Sequence, residues 1–346
     1  ICLSSEDYYA LVYFYSSEGY SCRKNPVTPS SVAQTRYRSN PRWRACKHHS
    51  SAKIFMLDRN RCLVTSDLAI DSMPPPVPAA TANRVAVIVV DYHAGELLTA
   101  CLAGLARQTR QPDRVILVDN GDTGQIDAAI RELCPDILIL QPGYNSGFAR
   151  ANNLALAHAD DCQWIALLNP DAVPDPDWLE QLLRAAARHP EAAAFGSRLY
   201  ADPNLARLDG SGDILHLSGL VWRRDHGRLA QGWRLAAGEV FSPCAAAALY
   251  RRDLFAHLGG FDEDFFCYIE DVDLGFRIRL TGYTCRYVPL AQVVHVGSAI
   301  TGAKSDFALY HGHRNLLWLF IKNMPLPLLI GLAPLHLLMH LVVTPR

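Results

Sequence analysis

Residues 85–90 read Val-Ala-Val-Ile-Val-Val and run into Asp91-Tyr92. Such a run leaves no polar face, so it is expected as a strand covered on both sides, as in a parallel sheet. Downstream, Leu97, Leu98, Cys101, Leu102 and Leu105 fall at helical spacing. The alternation then repeats. Residues 115–118 read as the second strand, 126–133 as a short helix, 137–140 as the third strand, 148–158 as a helix and 164–168 as the fourth strand. The segment Pro174-Asp-Pro-Asp177 opens a further helix carrying Trp178, Leu179, Leu182, Leu183 and Ala186; Pro and Asp suit a first turn. Strands joined by helices imply an α/β fold with a mostly parallel sheet and right-handed crossovers.

In open α/β sheets, ligands bind beyond the carboxyl ends of the strands. Here each end carries polar residues: Asp91-Tyr92, Asp119-Asn120-Gly121, then Gly143-Tyr-Asn145-Ser-Gly147, and Asn169-Pro170-Asp171. A single Asp after a strand is often a helix cap or turn residue. Four such ends on one rim would line a crevice with acceptors for a base and ribose, plus a carboxylate for a metal. No G-x-G-x-x-G follows the first strand and no G-x-x-x-x-G-K-[ST] occurs, which disfavours a dinucleotide fold and excludes a P-loop enzyme. A donor diphosphate would then be neutralised most simply by a divalent cation, Mg²⁺ or Mn²⁺, held by Asp171.

Of the 346 residues, half are hydrophobic and 19% are charged, enough apolar surface for a core and too few charges for overall disorder. The net charge of −1 offers no field for nucleic acid. Ten cysteines form no CxxC pair or zinc spacing, and the N-terminal stretch lacks a secretory signal, so reduced thiols in a cytoplasmic protein are expected. Residues 1–83 are expected to be a leader with a Pro-rich linker, disordered or not native. The first 72 residues show no sustained period, and Met73-Pro-Pro-Pro-Val-Pro78 offers an alternative start followed by a stiff linker. Residues 311–346 are expected as a membrane-associating tail, since Asn323 to Thr344 contains no Asp, Glu, Lys or Arg. Pro325, Pro327, Pro334, His336 and His340 favour an interfacial helix over a span, with a core helix as the other alternative.

The second half holds a denser cluster, Gly259-Gly-Phe-Asp-Glu-Asp-Phe-Phe-Cys-Tyr-Ile-Glu270-Asp271-Val-Asp273-Leu-Gly-Phe-Arg277. It reads either as an acidic helix start with solvated neighbours or as a carboxylate at a helix N-terminus beside aromatic walls for a sugar. Adjacent Glu270 and Asp271 would raise one carboxyl towards the working range.

Taken together, VAVIVVDYHAGELLTACLAGLARQT, VILVDNGDTG, GYNSGFARANNLAL, WIALLNPDAVPDPDWL, GGFDEDFFCYIEDVDLGFRIRLTGY, VVHVGSAITG and YHGHRNLLWLFIKNMP resemble, in order, the family 2 glycosyltransferases and their rhamnosyltransferase-like branch. The resemblance spans about residues 84–324. It implies a GT-A fold over residues 84–310 and an inverting, metal-dependent transfer. By it, Asp119 matches the nucleoside-binding acid, Asn169-Pro170-Asp171 the metal-binding DxD variant, Asp271 the catalytic base and His295 a metal-binding histidine. Glu270 is left to orient a sugar. Val90, Tyr92, Asn120, Asn145, Gly147, Phe148 and Asn153 complete the expected donor site, and Asp273, Arg277 and Arg314 the expected acceptor site. Tyr92-His93 and Arg150 depart from the usual Tyr-Asn and Gly. A QxxRW motif, typical of processive synthases, is missing after Asp271, which favours addition of one sugar. The expected donor is dTDP-rhamnose, or second a UDP-sugar. The expected acceptor is a lipid-linked saccharide or cell-surface glycan at the inner face of the bacterial inner membrane. The rivals are a processive glycan synthase and a non-catalytic nucleotide-sugar-binding protein.

Overall fold

The computed structural model describes residues 53–58, 61–67, 83–121, 128–230, 236–297 and 305–343. Lys53–Asp58 (β1) and Arg61–Asp67 (β2) pair as an antiparallel hairpin. The rest of the expected leader, with the Met73 start and the Pro-rich linker, lies outside the described residues.

Val85–Asp91 is the strand the sequence demands (β3), buried at every position. Its side chains alternate between two cores. Val85, Val87 and Val89 enter one, while Ala86, Ile88 and Val90 enter the other. The unbroken apolar run therefore reflects two covered faces, each buried Val or Ile contributing roughly 1.5–3 kcal/mol. Glu96–Ala106 (α1) follows and buries Leu98, Cys101, Leu102 and Leu105 against the first core. Next come Arg114–Asp119 (β4), Ala128–Leu133 (α2), Leu138–Leu140 (β5), Gly147–Leu156 (α3) and Trp164–Leu168 (β6). The helix α3 buries Ala149, Ala151 and Ala155, side chains small enough for its backbone to approach the second face closely.

Ala172–Pro174 (β7) is a strand, so the helix expected from Pro174 starts later, as Trp178–Arg188 (α4). The remaining strands are Ala192–Tyr200 (β8), Leu208–Gly210 (β9), Asp213–Leu215 (β10), Val221–Arg223 (β11), Gly238–Val240 (β12) and Ala247–Arg251 (β13). Arg252–His257 (α5), Glu270–Leu280 (α6), Thr284–His295 (β14), Asp306–Asn323 (α7) and Leu326–Val343 (α8) complete the chain.

The main sheet has the order β12-β14-β8-β13-β6-β3-β4-β5, with β7 on β14 and β9 on β8. The four strands β6, β3, β4 and β5 are parallel, whereas β13 runs antiparallel to both β6 and β8. The hairpin β10–β11 stands apart. The expected tail boundary after residue 310 falls inside α7, which buries Asn315, Leu319 and Phe320 against the rest of the protein. Among the described residues, no helix is long and apolar enough to cross a membrane.

Candidate active site

The register of the parallel strands builds the rim. Asp91 pairs with Asp119 at the ends of β3 and β4, and Val118 pairs with Leu140, so Gln141 reaches the same level. The buried Asp119 accepts a hydrogen bond from Gln141 Nε2 at 3.2 Å. Asp91 caps the turn ahead of α1 by accepting from the Ala94 N–H at 3.1 Å, and burial raises its carboxyl above the usual range. Asn120 locks two loops together. Its Oδ1 accepts from the Ser146 N–H at 2.8 Å and hydroxyl at 2.7 Å, and its Nδ2 donates to Asn145 Oδ1 at 3.0 Å. Gly147 opens α3 at φ 81°, and a Cβ there would lie 2.6 Å from the Phe266 ring, so only glycine lets this loop close on the acidic segment.

Beyond β6, Asn169 and Asp171 meet His295 at the end of β14. The pairing of β14 with β7 sets His295 opposite Ala172. His295 Nε2 lies 3.3 Å from Asp171 Oδ1 and 3.3 Å from Asn169 Nδ2, while its Nδ1 lies 2.8 Å from Asp209 Oδ2. Asp209 arrives on β9, across a bulge where β9 joins β8. Burial would lower the imidazole's proton affinity, but its bonds to the two carboxylates hold it up at about 9. Burial likewise works against the Asp209 charge, yet His295 and Arg223 lower that carboxyl to about 2.

These residues fit a divalent cation. Asp171 offers a carboxylate oxygen, His295 an imidazole whose other nitrogen is held by a carboxylate, and the Asn169 Oδ1 is buried there with no partner. An octahedral ion at about 2.1 Å from its ligands spaces adjacent ones by about 3 Å, close to the Asp171–His295 separation. The carboxylate behind the histidine is the usual means of fixing its tautomer.

The acidic helix faces this corner across β13. The Asn169 N–H donates to the Ala246 carbonyl at 2.8 Å, and the neighbouring Ala245 N–H donates to Asp271 Oδ2 at 3.0 Å. The Val272 N–H holds Asp271 Oδ1 at 2.8 Å. Burial raises the Asp271 carboxyl, against these amides and Arg223. Asp271 remains half-buried and accessible, whereas Glu270 is buried with its Oε2 unpartnered. Burial, then the Asp271 charge, pushes the Glu270 carboxyl well above its ordinary range. The two neighbours thus differ in exposure: Asp271 is open at the surface of the site, and Glu270 is closed beneath it.

The loop before α6 is strained: Phe266, Tyr268 and Ile269 adopt φ of 65°, 68° and 72°. Asn315 of α7 holds it, its Nδ2 donating to the carbonyls of Phe265, Cys267 and Tyr268 at 2.9, 2.8 and 2.7 Å. A side chain over-determining a strained loop beside a half-buried carboxylate is the arrangement expected at a functional site.

Several expected site residues have other tasks. Asn153 pairs through its amide with the Phe261 backbone, at 2.9 and 2.8 Å, and so pins the acidic loop. Val90 turns its side chain into the core. Phe148 stands half-buried near Phe261, while Tyr92 and Asn145 are exposed on the rim. The residues expected at the acceptor site have partners within the protein. Asp273 is fully buried between Arg277 Nη2 and Lys322 Nζ, each at 2.8 Å, and Arg277 also donates to the Leu258 and Gly260 carbonyls. Arg314 donates to the Asp264 and Phe265 carbonyls. Asp273 and Arg277 thus spend their charge on each other inside the protein, while Arg314 stays half-buried. Sequence reasoning missed Asp209, Asp213, Arg223 and Asn315. The Leu208-Asp-Gly-Ser-Gly-Asp213 stretch looks like a polar turn until β9 carries it to His295.

This sheet and rim define a GT-A glycosyltransferase, an enzyme whose fold holds a nucleotide-diphospho-sugar at the strand ends. The chain belongs to glycosyl transferase family 2, whose model matches residues 86–259. It is similar to the N-acetylglucosaminyl-diphospho-decaprenol L-rhamnosyltransferase of Mycobacterium tuberculosis, 34% identical over 65% of this chain and 80% of that protein. It also resembles the O-antigen chain rhamnosyltransferase WbaN of Salmonella anatum, at 27% over 60% of this chain and 65% of that one. Among solved structures, the mannosyltransferase from Pyrobaculum calidifontis, in complex with GDP-Man and Mn²⁺, shares the fold with a TM-score of 0.52. It is 22% identical, over 74% of this chain and 69% of that one.

Proposed function

We propose that this glycosyltransferase moves a single sugar, with inversion, from dTDP-rhamnose or second a UDP-sugar onto a lipid-linked saccharide or cell-surface glycan. It would act at the inner face of the bacterial inner membrane. The rhamnosyltransferase relatives support the sugar and acceptor class. The observation that carries the mechanism is the Ala245–Ala246 step, whose successive backbone groups hold Asp271 and the Asn169 turn.

Asp119, Asn120, Asn145 and Tyr92 line the place for the nucleoside. Asp171, His295 and the Asn169 Oδ1 would hold Mg²⁺ or Mn²⁺. When bound, the cation supplies charge neutralisation for the departing diphosphate. Asp271 takes the proton of the acceptor hydroxyl. The hydroxyl oxygen forms the new bond to the anomeric carbon from the opposite face as the bond to the diphosphate oxygen breaks. A positioned carboxylate contributes ~10²–10⁴-fold to such a step. Buried beside Asp271, Glu270 shapes the pocket, and its raised carboxyl makes it the poorer proton donor of the two.

The test is turnover of dTDP-rhamnose with Mn²⁺, as transfer or hydrolysis, in wild type and variants. Asp271→Asn is expected to keep fold and donor affinity while lowering turnover by at least ~10²-fold. Glu270→Gln should be milder. Near-wild-type turnover in Asp271→Asn, with a saturating acceptor, would move the base elsewhere.

A further inference from the structure

A succession of charged groups leads from His295 towards Asp271. His295 Nδ1 meets Asp209 Oδ2 at 2.8 Å, Arg223 Nη1 meets the same oxygen at 2.6 Å, and Arg223 Nε stands 3.9 Å from Asp213 Oδ1. Ligand atoms of Asp213, Cys244 and Asp271 in turn lie within 4.8 Å of one another. We propose that Arg223 is a positioning residue serving both halves of the active site: it holds Asp209 against His295 and keeps a positive charge beside the Asp213–Asp271 pair. This rests on the assignments of Asp271 and the Asp171–His295 corner made above.

The site is built to admit this side chain. Arg223 sits at the end of β11, and its stem crosses β9 over Gly210, where a Cβ would lie 2.4 Å from both its Cγ and its Cδ. Any larger residue at 210 would displace the guanidinium from both carboxylates at once. The β10–β11 hairpin sets Arg223 opposite Asp213 in register. One short hairpin therefore supplies an acid and the cation that balances it.

Two carboxylates this close, one of them buried, cannot both ionise cheaply. Asp271 accepts from two backbone N–H groups, which stabilise its charged form. Burial, followed by the Asp271 charge, pushes Asp213 up to about 8, leaving it the proton holder of the pair. The groups facing Asp271 are Asp213, Arg223, Cys244, Glu270 and Tyr250; Arg223 is the cation among them. The cluster's spacing would also suit a metal, but the guanidinium already supplies positive charge there.

The experiment compares wild type, Arg223→Met, Arg223→Lys and Gly210→Ala. Calorimetry with Mn²⁺ alone reads the metal corner. Arg223→Met and Gly210→Ala should weaken Mn²⁺ binding by about tenfold or more, the usual loss when the residue behind a ligand histidine is released. The pH profile of dTDP-rhamnose hydrolysis at saturating Mn²⁺ reads the base. Loss of the cation makes Asp271 hold its proton to higher pH, so the acid limb should move up by about one unit in Arg223→Met. Arg223→Lys should restore the limb by its charge, yet recover Mn²⁺ affinity only in part, since an ammonium lacks the guanidinium fork. Unchanged Mn²⁺ affinity together with an unmoved limb in a folded Arg223→Met would overturn the inference. So would Gly210→Ala behaving as wild type, which also covers a misfolded Arg223→Met. Mn²⁺ affinity abolished by Asp213→Asn would place a metal in the cluster instead, and overturn it too. Asp171→Ala and Asp271→Asn serve as controls. If either behaves as wild type, the earlier assignment has failed and not the role of Arg223.

Discussion

A carboxylate and an imidazole that meet at 3.3 Å can share a proton or a cation, and the Asp171–His295 pair is arranged for either. With Asp209 fixing the far nitrogen, His295 presents Nε2 in one direction only. Asp171 alone among the residues of its turn carries a charge, so the two ligands are unequal. Asp171→Ala should abolish Mn²⁺-dependent donor binding, while His295→Ala should weaken it, because imidazole supplies no charge to balance the cation. Calorimetry of donor binding with and without Mn²⁺ checks both; unchanged affinity in the pair of variants removes the metal from this corner. Residue identity at this scale was partly legible from sequence. Asp119, Asp171, Asp271 and His295 stand in motifs whose order carries the information. Asp209 and Arg223 do not, because their task depends on partners 86 and 14 residues away.

Elements decide which of the clustered acids can react. The helix α6 places Asp273 two residues past Asp271, on the interior side, where Arg277, Lys322 and Asn323 enclose it. Burial opposes its charge, but the Arg277 and Lys322 charges and the Asn323 bond outweigh it and hold the carboxyl below its usual range. A depressed acid contributes stability that is present above its unfolded value, near 3.9, and is lost as pH falls through the folded value. Asp273→Asn should therefore cost roughly 3–5 kcal/mol at neutral pH, by leaving buried cations uncompensated, and the cost should shrink as the pH falls below 4. Denaturant unfolding at several pH values measures it; a pH-independent difference would mean that the loss is packing, not charge. The same two elements carry Asn315, which grips the strained loop. Asn315→Ala should lower stability by about 1–3 kcal/mol. It should also reduce turnover more than donor affinity, because α6 then presents Asp271 loosely; equal turnover with a normal unfolding midpoint would show that the loop holds itself. The parallel half of the sheet was readable because β3 to β6 are apolar runs separated by helical spacing. The mixed half, where β8 runs parallel to β14 but antiparallel to β13, was not. Residues 192–194 and 245–248 are largely alanine, which marks neither period, and β9, β10 and β11 have only three residues each.

At the scale of the whole molecule, the last two helices connect the catalytic half to a surface of a different kind. The helix α7 packs inward, whereas α8 docks chiefly through His336, whose ring stacks on Phe320 at 4.0 Å and whose Nδ1 meets the Ser218 carbonyl at 2.7 Å. Gly219 makes room for that contact, since a Cβ there would lie 2.4 Å from Phe320. Away from it, Leu326, Ile330, Leu337 and Leu341 fall on one face of α8 and are 40%, 67%, 57% and 78% exposed. A stripe of leucine and isoleucine with no charged neighbour along the helix is costly to leave in water. At ~25 cal/mol per Å², its burial at a headgroup boundary would favour peripheral attachment, as proposed for an enzyme taking a lipid-linked acceptor. Leu337→Glu with Leu341→Glu leaves the His336 contact untouched, so the unfolding midpoint should stay within about 0.5 kcal/mol of wild type. The same pair should release the protein from phosphatidylglycerol-containing vesicles in a flotation assay. Removal of residues 323–346 should do so as well, at some cost in stability, because Phe320 and Ser218 lose their cover. Wild type that fails to float with the vesicles at either low or high salt would place α8 against something other than lipid.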